Sequence, residues 1–288
     1  MIKKGIILAG GYGTRLSPIT KVVNKQLLPL YDKPLIYYPL SVLMLAGIAD
    51  ILVITNKNEK SNFIKLLGNG SQLGIKITFL EQSKPKGLPD AFIVGEKFIG
   101  KNDVALILGD NFFYGQGFTN RLKAALHKNI GATIFTYIVN NPSEYGILEI
   151  DKKNKIKKIV EKPSSPKSNL AITGLYFFNY KAVEFAKTLK PSKRNELEIV
   201  DLLNIYLKKK LLRVEFMGRG SAWLDAGNTI NLFNASQYIA AIEERQGLKI
   251  SCIEEISYQN KWISKKQILK RISFYGKCDY SDYLKKII

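Results

Sequence analysis

Through the first 130 positions, short runs of consecutive apolar residues alternate with segments whose apolar residues recur every three or four places. Candidate strands fall at residues 5–9, 51–55, 75–80 and 104–108, the first, second and fourth as near-continuous apolar runs and the third interrupted by Lys76 and Thr78. The helical pattern occupies residues 35–46, 59–67, 90–98 and 119–128. This repetition predicts an α/β fold, a mostly parallel sheet covered by helices on both faces, with ligands beyond the carboxyl ends of its strands. After residue 130 the rhythm turns β-rich. Strands are predicted at 132–139, 146–150, 156–160 and 172–178, with a turn at Asp151-Lys152-Lys153-Asn154. Helices return at 181–188, 196–209 and 229–244. Without a low-complexity linker or an internal repeat, residues 1–240 read as one catalytic unit and residues 241–288 as a smaller helical segment.

At 288 residues the chain can bury a substantial core. Its 44 Lys and Arg against 24 Asp and Glu leave a formal charge of +20, which raises the possibility of a polyanionic partner. Distribution argues against it. Residues 1–144 carry 17 basic and 9 acidic side chains and residues 145–288 carry 27 and 15, so no basic tail is segregated. The longest basic run is Lys208-Lys209-Lys210, and no nucleic-acid partner is expected. Two isolated cysteines, Cys252 and Cys278, make no disulfide framework, and the single histidine, His127, cannot supply a zinc cluster. A reduced cytoplasmic setting follows. The apolar stretch after Lys4 ends at Gly10-Gly11, too early for a secretory signal, and residues 37–55 are interrupted by Pro39, Gly47 and Asp50, so no membrane span is expected.

Chemistry starts directly after the first strand, at Gly10-Gly11-Tyr12-Gly13-Thr14-Arg15-Leu16. Glycines let backbone N–H groups approach a phosphate chain, and an arginine adds a planar, permanently charged fork. The Walker pattern would need Gly-Lys-Ser/Thr at the end, and the dinucleotide pattern would put its third glycine at Leu16. Neither fits, which leaves a polyphosphate loop of another kind. No Gly-x-Ser-x-Gly elbow supports acyl transfer through a serine.

Further blocks follow in order: Lys25-Gln26-Leu27-Leu28-Pro29, Tyr31-Asp32-Lys33-Pro34, Gly109-Asp110-Asn111, Glu144-Tyr145-Gly146, Val160-Glu161-Lys162-Pro163, Thr173-Gly174, Arg194-Asn195-Glu196-Leu197-Glu198 and Trp223-Leu224-Asp225-Ala226-Gly227. Together with the glycine loop, this series resembles the sugar nucleotidyltransferase superfamily over nearly the whole chain, and within it the glucose-1-phosphate thymidylyltransferases. The resemblance implies a Rossmann-like three-layer fold with a mixed, mostly parallel sheet, a cytoplasmic homotetramer, Mg²⁺ as cofactor, and dTTP and α-D-glucose 1-phosphate as substrates. Such a reaction brings several negative charges together while pyrophosphate leaves, so positioning and charge neutralisation suffice without a protein nucleophile.

Carried onto this sequence, the resemblance makes Asp110 and Asp225 the metal pair and Arg15, Lys25 and Lys162 their catalytic companions. Nucleotide binding is expected at Leu8, Gly10, Gly11, Gly13, Thr14, Arg15, Gln26, Gln82, Pro85, Gly87 and Asp110. The sugar phosphate is expected at Tyr145, Gly146, Glu161, Lys162, Thr173, Arg194 and Trp223, with Thr173 in the pocket floor. Amide groups at Gln26 and Gln82 and the bare backbone of Gly87 suit the edge of a pyrimidine. A second, inhibitory nucleotide-sugar site is expected at Tyr114, Gly115, Gly218, Arg219, Ser251, Glu255 and Ile256. Two departures stand out: Pro89-Asp90 where relatives commonly show Ala-Gln, and Gln259 where an Arg is common. The alternatives are a uridylyltransferase, an enzyme for another sugar 1-phosphate, or a silent nucleotide-sugar sensor, which would have lost one of the charged residues.

Overall fold

The computed structural model describes residues 2–288. Its first strand, β1 (Lys4–Ala9), is apolar on both faces: Ile6 and Ile7 point to opposite sides of the sheet, both are fully buried, and they belong to two different core clusters. The chain then forms a short hairpin of β2 (Pro29–Leu30) and β3 (Lys33–Pro34), followed by α1 (Tyr37–Leu45), β4 (Asp50–Asn56), α2 (Lys60–Leu67) and β5 (Lys76–Gln82). The helix expected at 90–98 is two short pieces, α3 (Asp90–Val94) and α4 (Glu96–Ile99), divided at Gly95, where a Cβ would stand 2.8 Å from the Ala91 carbonyl oxygen. Then come β6 (Val104–Leu108), β7 (Asn111–Gly115) and α5 (Phe118–Lys128).

The second half supplies β8 (Ala132–Ile138), β9 (Gly146–Ile150), β10 (Ile156–Glu161), β11 (Leu170–Phe178), α6 (Ala182–Thr188), α7 (Ile199–Lys208), β12 (Leu212–Phe216) and β13 (Ser221–Asp225). Four helices close the chain: α8 (Thr229–Gln246), α9 (Ile253–Gln259), α10 (Lys265–Tyr275) and α11 (Asp279–Lys286). The boundary expected at residue 240 falls inside α8, and the segment beyond it is helical.

The main sheet has nine strands. The order runs β10-β9-β11-β6-β1-β4-β5, with β8 on β11 and β12 on β8. Its centre, β6-β1-β4-β5, is parallel, and β11 joins β6 antiparallel. One face packs on α1, α2 and α5 and the other on α3, α6 and α7, giving three layers. Because β4 and β5 lie on one side of β1 and β6 on the other, the strand order reverses between β1 and β6. A crevice opens there at the carboxyl ends. Among the described residues, no helix is long and apolar enough to cross a membrane.

Candidate active site

The glycine loop leaves β1 and Asp110 leaves β6 at this crevice. The two strands run in register from Lys4 opposite Val104 to Leu8 opposite Leu108, and the Gly109 N–H donates to the Leu8 carbonyl at 2.9 Å. A cavity of about 160 Å³ at this point is walled by Gly10, Gly11, Gly13, Lys25, Gln26 and Asp110, among others. It shares Leu8, Gly10, Gly11, Leu88 and Leu108 with a larger cleft of about 420 Å³. That cleft is lined by Arg15, Gln82, Pro85 and Gly87 and also by Tyr145, Gly146, Glu161, Lys162 and Arg194. The expected nucleotide and sugar-phosphate residues therefore meet in one continuous groove, with three exceptions. Thr14 is exposed in a 3₁₀ turn and lines neither cavity. Thr173 is fully buried and gives its hydroxyl to the Phe135 carbonyl at 3.0 Å, so it sits behind the pocket and not in its floor. Trp223 is a backing residue, its ring edge-on to Tyr145 at 5.2 Å.

Asp225 lines neither cavity, but it is brought beside Asp110 by a route that the sequence pattern did not disclose. Strands β7 and β13 form a separate antiparallel ribbon in which Asp225 faces Asn111, and the Ala226 N–H donates to the Asp110 carbonyl oxygen at 2.9 Å. Two carboxylates far apart in the chain thus share one ribbon end. Asn111 organises it: its Oδ1 accepts from Trp223 Nε1 at 2.6 Å and Gly174 N–H at 3.0 Å, while its Nδ2 donates to Asp110 Oδ1 at 2.9 Å. Asn231, in the first turn of α8, donates to Asp225 Oδ1 at 2.6 Å. Gly227 keeps the neighbourhood open, since a Cβ there would lie 3.1 Å from Arg15 Nη2 and 3.2 Å from Asp225 Oδ2.

The two acids are held differently. Burial would raise the Asp110 carboxyl, but the ion pair with Lys25 and the Asn111 hydrogen bond hold it below the ordinary carboxylate range. Burial raises Asp225, and neighbouring Asp110 raises it further, against the weaker influence of Asn231, Arg15 and Lys25. Among the described residues, no group of three or more His, Cys, Asp and Glu converges. A cation at this pair would take its remaining ligands from phosphate oxygens and water, which suits a hard ion.

Among the residues expected at the sugar phosphate, Arg194 is clamped by Glu198 through Nε at 3.1 Å and Nη2 at 2.6 Å, and reaches Glu161 at 3.0 Å. Burial and Glu198 raise the Glu161 carboxyl. Burial and nearby Asp225 raise the Tyr145 hydroxyl to about 12. Lys162 has φ +40°, a rare conformation for a side-chain-bearing residue, stabilised by its N–H donating to the Tyr145 carbonyl at 3.1 Å. Sequence reasoning assigned no role to Asn111, Asn231 or Glu198, although Asn111 and Glu198 stand inside quoted blocks.

A second cavity, of about 250 Å³, lies between β7, α8 and α9. Tyr114, Gly115, Ser251, Glu255 and Ile256 line it as expected, together with Gln259, whose amide donates to Glu255 at 3.0 Å. Gly218 and Arg219 are exposed and outside its wall.

The sequence model of a family described as Nucleotidyl transferase matches residues 4–242. The chain is similar to a glucose-1-phosphate thymidylyltransferase of Neisseria gonorrhoeae, 53% identical over 285 residues that cover 99% of each chain. Its fold is similar to the crystal structure, with a sucrose bound, of a Bacillus anthracis protein assigned as a glucose-1-phosphate thymidylyltransferase, at TM-score 0.76 and 39% identity over 82% of this chain and 94% of that one. A UDP-glucose pyrophosphorylase complexed with UDP-glucose aligns at TM-score 0.73 and 30% identity, over 85% and 100% of the two chains.

Proposed function

This chain belongs to the nucleotidyl transferase family, and we propose that its reaction is transfer of the thymidylyl group of dTTP to α-D-glucose 1-phosphate, giving dTDP-glucose and pyrophosphate. The observation that carries this reading is the convergence of Asp110 and Asp225 near Arg15 and Lys25, beside a groove that Arg15, Lys162 and Arg194 also line. Several cations lining one cleft match a reaction in which a sugar phosphate oxygen attacks the α-phosphorus in line while pyrophosphate departs. The near identity in length and the 53% identity to a thymidylyltransferase favour this over uridylyl transfer or another sugar 1-phosphate.

In this reading Arg15 and Lys25 hold the departing pyrophosphate and the charge gathering at phosphorus, and Lys162 and Arg194 hold the incoming sugar phosphate. Glu161 accepts hydrogen bonds from sugar hydroxyls, with Tyr145 and Gly146 shaping the ring pocket. Gln26, Gln82 and the Gly87 backbone read the pyrimidine edge; a Cβ on Gly87, at φ +99°, would fall 2.1 Å from the Leu197 carbonyl oxygen. Asp110 and Asp225 fit a divalent cation, because Asp225 carries the uncompensated charge that such an ion relieves. Mg²⁺ is the ion of choice for bridging phosphates while keeping waters, and when bound it supplies charge neutralisation at the transferring group. A homotetramer, a cytoplasmic location and inhibition by a dTDP-sugar in the second cavity belong to the same reading.

The test is pyrophosphate release over a panel of nucleotides and sugar 1-phosphates with Mg²⁺. The dTTP and glucose 1-phosphate pair should give the highest kcat/KM, with UTP lower by roughly 10–200-fold, the worth of one methyl in an apolar pocket. No release with any pair defeats the proposal.

A further inference from the structure

We propose that Asn56 and Glu59, in the turn from β4 into α2, are positioning residues that tether the two ends of segment 11–24 and so hold Arg15 over the phosphate end of the groove. The proposal rests on the reaction proposed above.

Asn56 is 7% exposed, and its side-chain amide pairs with the peptide of Gly11 as a neighbouring strand would: Nδ2 donates to the Gly11 carbonyl oxygen and Oδ1 accepts the Gly11 N–H, both at 2.9 Å. Gly10 locks into the same place, for a Cβ on it would stand 1.7 Å from Gln82 Nε2 and 3.3 Å from Asn56 Oδ1. At the other end, the Glu59 carboxylate accepts from Asn24 Nδ2. Asn24 in turn caps the turn that presents Lys25 and Gln26, its Oδ1 accepting the Gln26 N–H at 2.9 Å. One corner of the sheet therefore fixes both the glycine loop and the Lys25 turn.

Between these tethers the segment has little packing of its own. Leu16 is its one buried side chain between Gly11 and Val23, while Tyr12, Ile19 and Val22 are 64%, 47% and 90% exposed. With so few apolar contacts, the hydrogen bonds at the two ends decide where Arg15 stands.

Three full-length variants test this: Asn56→Leu, which removes both bonds to Gly11; Asn56→Asp, which keeps an acceptor for the Gly11 N–H; and Glu59→Ala, which frees Asn24. Hydrogen exchange of peptides spanning residues 10–24 reads the tether directly. Steady-state kinetics read its consequence. In Asn56→Leu these amides should exchange about tenfold faster or more, while β4 and β5 stay protected. Its kcat/KM for dTTP should fall roughly 100-fold with KM for glucose 1-phosphate within about twofold, because a misplacement near 1 Å at the phosphates is felt on one substrate only. Asn56→Asp should recover part of the loss, and Glu59→Ala should loosen residues 23–26. Unchanged exchange in segment 11–24 overturns the proposal, as does a general loss of protection with equal losses for both substrates. Should Asn56→Leu not fold, the other two variants decide by the same criteria. If the wild-type protein releases no pyrophosphate at all, the reaction falls, while the exchange data still settle the tether.

Discussion

Two clusters of carboxylates lie in this molecule, and the fold treats them in opposite ways. Where the β2–β3 hairpin meets α8, Asp32 and Glu243 are matched by Lys33 and Lys249: Lys33 bonds both acids, at 3.0 Å to Glu243, and Lys249 also reaches both. Glu243 takes the Ile250 N–H at 2.7 Å as well. Two acids meet two lysines, and the square is closed. At the ribbon end of the groove, Asp110 has Lys25, but Asp225 has hydrogen bonds and no ion pair. Even partly buried charge left without an ion-pair partner is costly, so a protein that keeps it is keeping room for a charge that arrives with a ligand.

The largest expected effect separates the clusters most sharply. Asp225→Asn keeps the shape and the bond partner at Asn231 but deletes the unmatched charge. Turnover should fall by roughly 10³-fold, the scale of losing a main electrostatic contact in a transition state. Thermal stability should hold or rise, since a repulsive neighbour of Asp110 has gone. A variant with ordinary pyrophosphate release, or one that loses several degrees of Tm, would put the two clusters in the same class.

Glu243→Gln should do the reverse. It leaves Lys33, which is 3% exposed, with Asp32 alone, and breaking one partner out of a buried pair costs roughly 3 kcal/mol or more. The denaturation midpoint should drop accordingly, while kcat/KM measured well below the new Tm stays close to the wild-type value. A large kinetic loss with unchanged stability would show that the closed square also serves the groove.

A smaller effect tests the wall of the groove. Gly87→Ala places a methyl against the Leu197 carbonyl at a φ that side chains seldom adopt, which should cost about 1–3 kcal/mol and weaken dTTP more than the sugar phosphate. An equal change in KM for both substrates in this variant would argue against a pyrimidine edge at this loop.

What could be read without coordinates follows the same division. The parallel centre announced itself because strands buried on both faces, such as Ile51-Leu52-Val53-Ile54, must be apolar throughout. The glycine loop and the charged blocks were legible because phosphate chemistry restricts residue type. The β7–β13 ribbon was not. Its ends are polar and its partner strands are far apart in the chain, so neither periodicity nor composition marks it. Nor were the residues that hold the charges: Asn56, Asn111 and Asn231 look like ordinary turn-forming asparagines until the fold sets Gly11, Asp110 and Asp225 against them. The square of Asp32, Lys33, Glu243 and Lys249 joins residues 210 and 217 positions apart, beyond the reach of any local pattern.

The pH dependence of stability offers the smallest effect and the finest contrast. Burial pushes the Asp32 carboxyl up, but Lys33 and Lys249 outweigh it and bring it below the ordinary range. A depressed folded pKa means that the stability from Asp32 is in place above its unfolded pKa and is lost as pH falls through the folded one. Asp225 has the opposite sign: with a raised folded pKa, its contribution is complete below the unfolded pKa and is lost as pH rises through the folded one. Tm measured from neutral pH into the acid range should therefore show Asp32→Asn trailing the wild type most at neutral pH and converging with it on acidification. Asp225→Asn should lead the wild type at neutral pH and lose that lead as Asp225 itself takes up a proton. Two parallel curves would mean that both acids are equally well matched, and that the open charge assigned to the groove is not there.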